Sequence, residues 1–99
     1  MKNCLSTGAE TASACVYAGR AFFHGIVISW AGGFGAIINI YDNATEAAGK
    51  KLIPHTVLPG GGEKTEIMFD NPIIAENGIY VDITGKDAVE YVAYYKTTN

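Results

Sequence analysis

Two stretches of this chain alternate apolar and polar residues with a period of two, a pattern that a helix cannot place on one face. In Lys64-Thr65-Glu66-Ile67-Met68-Phe69-Asp70, Thr65, Ile67 and Phe69 fall on one side. Lys64, Glu66 and Asp70 fall on the other, where Met68 is the one apolar exception. Asn71-Pro72 then turns the chain, and Asn77-Gly78 opens a second segment with Ile79, Val81 and Ile83 inside and Tyr80, Asp82 and Thr84 outside. Side chains of a strand point alternately to opposite faces, so both segments read as half-buried strands.

The rest of the chain is punctuated in the same manner, with apolar runs between Gly, Asp-Asn and Pro-Gly clusters. Ala21 to Trp30 reads as one long strand that is apolar on both faces, because branched and aromatic side chains pack well on a pleated surface. Gly35 to Asp42 follows, with Ile38 and Ile40 on one face and Ile37, Asn39 and Tyr41 on the other. Asp42 to Gly49 is a polar loop with room for one helical turn, and Lys51 to Leu58 is an edge strand, since Pro54 cannot donate to a ladder. The last segment admits a capped helix from Asp87 or a strand through Val89-Glu90-Tyr91-Val92-Ala93-Tyr94-Tyr95; its density of strand formers favours the strand. Tyr91 and Tyr95 then share one face, and Val92 and Tyr94 the other. The expected fold is all-β: a small β-sandwich or jelly-roll-like domain of about eight antiparallel strands. Residues 14–99 form this single domain, and residues 1–13, rich in Ser, Thr, Ala and Gly, form a flexible N-terminal arm.

Charge and chemistry narrow the function. The chain has 99 residues, a net charge of −3 and scattered Lys and Arg, so it lacks the dense cationic face that nucleic-acid binding draws on. No apolar run approaches the ~18 residues that cross a bilayer, and no secretory pattern follows Met1-Lys2, which implies cytoplasmic synthesis without membrane contact. In that compartment Cys4 and Cys15 are expected as free thiols. Gly62-Glu63-Lys64-Thr65 resembles the end of a phosphate loop, but Glu63 replaces the glycine next to the Lys and a strand follows. Gly33-Phe34-Gly35 lacks the third glycine of a dinucleotide site. His24 and His55 have no second ligand at metal spacing, and a Cys15–His24 pair has no orienting partner. Asp42, Asn43, Thr45 and Glu46 depart from the calcium-loop pattern at Ala44 and read as a turn held by side-chain to backbone bonds. Asn43-Ala44-Thr45 is a formal glycosylation acceptor with no secretory route to use it. No catalytic residue, metal or cofactor is expected, and the protein is not read as an enzyme.

The charged fraction is 17%, below the roughly 25% usual for a solvated domain. A body this small cannot hide every aromatic ring, and Tyr and Trp favour interfaces because they join large area to a polar handle. Trp30, Phe34, Tyr91, Tyr94 and Tyr95 are therefore the candidate protein-interface residues.

The segments Gly19-Arg20-Ala21-Phe22-Phe23-His24-Gly25-Ile26-Val27-Ile28 and Ile38-Asn39-Ile40-Tyr41-Asp42, with Ala47-Ala48-Gly49, resemble small phage virion proteins of the capsid decoration (cement) or head-fibre type. So do Met68-Phe69-Asp70-Asn71-Pro72-Ile73, Asn77-Gly78-Ile79-Tyr80-Val81-Asp82-Ile83 and Val92-Ala93-Tyr94-Tyr95; together they span about Cys15 to Tyr95. The resemblance implies a compact β-sandwich that self-associates, as a homotrimer or similar ring, and contacts the major capsid protein on the virion surface. It brings no catalytic residues. The alternative is a carbohydrate- or receptor-binding module of a phage tail or fibre, in which exposed aromatic rings would stack on sugars.

Overall fold

The computed structural model describes residues 5–6, 8, 11–32, 35–58, 60, 63–85 and 88–97. Eight strands follow in order: β1 (Leu5–Ser6), β2 (Ala14–Ala18), β3 (Ala21–Ala31), β4 (Ala36–Tyr41), β5 (Thr56–Leu58), β6 (Glu63–Ala75), β7 (Gly78–Gly85) and β8 (Ala88–Thr97). They form two four-stranded antiparallel sheets, sheet I in the order β1-β8-β3-β6 and sheet II in the order β2-β7-β4-β5. The topology has a simple origin. Strands pair first with last, β1 with β8, β2 with β7, β3 with β6 and β4 with β5. This is one long antiparallel hairpin of four strands against four, rolled up so that alternate pairs join different sheets. The result is a jelly roll.

The core lies between the sheets, and the period-two pattern decides who enters it. Sheet I contributes Ile26, Ile28 and Trp30 from β3 and Val89, Tyr91 and Ala93 from β8; sheet II contributes Ile38, Ile40, Ile79 and Val81. All four of the sheet II residues and both isoleucines of β3 are fully buried. Thr65, Ile67 and Phe69 turn inward beside them while Lys64, Glu66, Met68 and Asp70 stay outside, and Phe69 meets Phe23 with ring centroids 5.9 Å apart. Tyr17 and Tyr95 close the core across the two sheets at 5.5 Å. The last segment is a strand throughout, as its composition predicts.

Three local expectations differ. Asn71-Pro72 does not end a strand: β6 runs on to Ala75, because an edge strand tolerates a residue without an N–H where its ladder is interrupted. The interruption is large. Phe23 pairs with Ile73 and Gly25 with Met68, so residues 69–72 bow out opposite the single residue His24. On the other side of β3, Phe23 pairs with Tyr95 and Gly25 with Tyr94, leaving His24 as a one-residue bulge. Between Lys51 and Leu58 only Thr56–Leu58 forms a strand, at an edge as Pro54 requires, and no helical turn forms between Asp42 and Gly49. The segment before Ala14 is laid on the body where it is described. Leu5 and Ser6 pair with Tyr95 and Tyr94, and the Tyr91 hydroxyl donates to the Ala12 carbonyl at 2.9 Å. Ser13 Oγ accepts from the Ile83 amide at 2.8 Å.

One end of the sandwich is tied by a single carboxylate. Asp42, buried at the end of β4, accepts from the backbone N–H groups of Glu76, Asn77 and Gly78 at 3.1, 2.7 and 3.3 Å. It thereby holds the β6–β7 turn against the β4–β5 loop. Gly78 is needed there because a Cβ would stand 2.7 Å from the Tyr17 carbonyl oxygen and 2.8 Å from that of Asn43. The Gly19 amide donates to the Asn77 carbonyl at 2.9 Å, and Arg20 pairs with Glu76 at 3.4 Å.

Candidate interaction surface

Sheet I buries one face and, among the described residues, leaves the other uncovered, and the strand register assigns its outer face row by row. Gly25 lies between Met68 and Tyr94, Val27 between Glu66 and Val92, and Ser29 between Lys64 and Glu90. Beyond the bulge, Phe22 lies between Ile74 and Lys96. The outer face of β8, β3 and β6 is therefore a strip of apolar residues with Lys64 and Glu90 at one end, Lys96 at the other and Glu66 on the β6 edge between them. Met68 and Ile74 are 46% and 41% exposed, and Phe22, Val27, Val92 and Tyr94 are half-buried around them. Scattered single apolar residues are normal on a surface, but contiguous ones mark a contact site.

Gly25 explains how Met68 lies across the strip. Its φ of 146° is one that side chains rarely adopt, and a Cβ there would come within 2.6 Å of Met68 Sδ. The absent side chain leaves a groove in β3 that the thioether fills. Next to it, His24 is only 6% exposed, and neither ring nitrogen has a hydrogen-bond partner among the described residues. Burial pushes its pKa below the ordinary 6.5, and the Lys96 ammonium pushes it further the same way.

The outer face of sheet II differs. Its rows run Cys15-Tyr80-Tyr41, Asp82-Asn39 and Thr84-Ile37-Val57, so polar groups interrupt it. The Lys51 ammonium sits 5.9 Å from the centre of the Tyr41 ring, and Val57, 62% exposed, lies at the edge beside Ile37. Cys15 is an exposed free thiol, and Cys4 lies outside the described residues.

The five aromatic candidates separate. Trp30 and Tyr91 are core residues, 8% and 1% exposed, and Trp30 borders a surface hollow beside Ser29 and Glu90. Their inward parity in β3 and β8, shared with Ile28 and Ala93, is the reason for their burial. Tyr95 also points inward, against Tyr17. Tyr94 alone is on the outer strip, and Phe34 lies outside the described residues. The residues that make the strip apolar are mostly aliphatic and were not singled out by aromatic content. The available signal was Met68, the one apolar residue on the solvent side of a clean alternation.

Other candidate chemistry resolves into structure. Asn43 Oδ1 accepts from the amides of Thr45 and Glu46 at 2.8 and 3.0 Å, which makes the loop a side-chain-held turn. Lys64 and Thr65 lie within β6, not at a helix N-terminus. Two shallow hollows of about 330 and 450 Å³ share Thr11, Ala88 and Val89, and Glu90 is their one ionisable lining residue among those described. No group of three His, Cys, Asp or Glu among the described residues is arranged to hold a metal ion, and no described helix is long and apolar enough to cross a membrane. No protein-family model matches this chain, and neither a curated protein nor a solved structure does.

Proposed function

We propose that this is a non-enzymatic virion structural protein that stabilises a phage capsid by associating with itself and with capsid subunits through the outer face of sheet I. The observation that carries the reading is the strip containing Met68 and Ile74, whose apolar area a partner would remove from water. The low charged fraction agrees with a surface that is partly covered in use. Jelly rolls serve viral capsid and lectin domains alike, so the architecture supports the reading only by analogy. The burial of Trp30 and Tyr91 removes two rings from the sugar-binding alternative, which would have to use partly exposed ones such as Tyr41 and Tyr80.

Sedimentation velocity between about 1 and about 200 micromolar, the range in which a small interface associates, tests the proposal. A mass that rises with concentration in the native protein, and does not rise in Met68→Asp, is the expected result. A native monomer throughout that range would overturn it.

A further inference from the structure

We infer that a second copy of this chain packs face to face on the outer strip of sheet I, about a two-fold axis running along β3. This rests on the self-association just proposed and specifies its geometry. The resemblance to virion proteins implied a three-fold ring, but a face that complements itself needs only two copies.

The argument comes from the register. β3 is the centre of the strip, with β6 and β8 as its flanks. A two-fold axis along β3 lays each β6 residue over the β8 residue of the same row in the other copy. Lys64 then meets Glu90, Met68 meets Tyr94, and Ile74 meets the aliphatic stem of Lys96, each contact occurring twice. Ser29, Val27, Gly25 and Phe22 lie on the axis and meet themselves; all four are small or apolar, and Gly25 permits close approach. Glu66 falls over Val92 at the open edge of β6, where its carboxylate stays in water. Within one copy Lys64 and Glu90 are two strand spacings apart, about 10 Å, with Ser29 between them, and they do not pair with each other. Both side chains are exposed.

A two-fold axis across the strands would also stack the sheets, pairing Glu90 with Lys96. That arrangement lays the bulged end of one copy, where His24 and residues 69–72 break the row spacing, over the evenly spaced rows of the other. The axis along β3 sets each irregularity against its own copy at the same level, so the rows remain matched along the whole strip.

The footprint is modest. Three strands about 4.8 Å apart and four rows about 7 Å apart cover on the order of 400 Å² in projection, below the ~800 Å² of accessible surface per partner in a standard interface. The pair is therefore weak in dilute solution, and an array of attachment points would strengthen it by raising the local concentration.

Sedimentation equilibrium of charge-reversed variants is the test, with thermal melts to show that these exposed substitutions leave the fold intact. Lys64→Glu and Glu90→Lys should each weaken the pair about ten-fold, because two attractions become two repulsions. Lys64→Glu combined with Glu90→Lys should restore it, and Lys50→Glu, exposed in the β4–β5 loop and off the strip, should leave it within about two-fold of the native protein. An oligomer that none of the reversals alters, or one in which Lys96→Glu rather than Lys64→Glu rescues Glu90→Lys, would overturn this geometry while self-association stands. A native monomer would overturn both.

Discussion

His24 is the residue at which packing and solvation conflict. Its imidazole is held in the bulge of the central strand of sheet I with both nitrogens unpartnered among the described residues. Burial disfavours the charged form, so the folded-state pKa lies below the 6.5 of the unfolded chain. Above pH 6.5 both states are neutral and the residue adds no pH dependence. Below it the unfolded chain takes up a proton that the folded one refuses, so stability falls with pH until the folded-state pKa is passed. Urea unfolding at a series of pH values should show that decline, and His24→Leu should flatten it. The same substitution should leave stability at pH 7.5 unchanged or higher by about 1 kcal/mol, since it removes two buried polar atoms that gain nothing. Asp42 is the opposite case, a buried polar group with its acceptor capacity in use. Asp42→Ala strands three amide donors and should cost about 3 kcal/mol in the same measurement; Asp42→Asn keeps Oδ1 as an acceptor and should cost about half as much.

Among the elements, the segment preceding β2 depends most on a few contacts. Ser13 Oγ takes the Ile83 amide where the β2–β7 ladder has ended at Ala14 and Val81, and the Tyr91 hydroxyl fixes Ala12 next to it. Tyr91→Phe keeps the buried ring and removes that tie. It should cost about 1 kcal/mol and speed hydrogen exchange at the Ile83 amide without affecting amides in the middle of β4. None of this was legible beforehand, because a short Ser- and Ala-rich stretch has no periodicity and its pairing is fixed by remote partners. The long strands were legible for the converse reason. Ile79, Val81 and Ile83 alternate cleanly because one face of β7 meets the core and the other meets water. β3 and β8 were readable as strands with apolar residues on both faces, and with both faces apolar the alternation does not tell which one meets the core. Ring content alone therefore pointed to Trp30 and Tyr91, which are buried, while on sheet I the exposed large apolar residues are Met68 and Ile74.

For the molecule as a whole, first-with-last pairing sets the folding problem. The strands that meet in β1·β8 and β2·β7 come from opposite ends of the chain, so loop closure precedes most of the favourable contacts. Trp30, the one tryptophan and a buried one, reports the event. Stopped-flow refolding followed by its fluorescence should give relaxation times of about milliseconds to seconds, in place of the microseconds of a helical bundle of similar length. The bow in β6 matters at this scale as well. A straight thirteen-residue border with free amides and carbonyls would offer every molecule a seat for the next one's border, and a crowded preparation would grow ribbons. Residues 69–72 break that border into two short pieces, and Pro72 withholds a donor at the break. Molecules can thus be crowded flank to flank and still remain discrete.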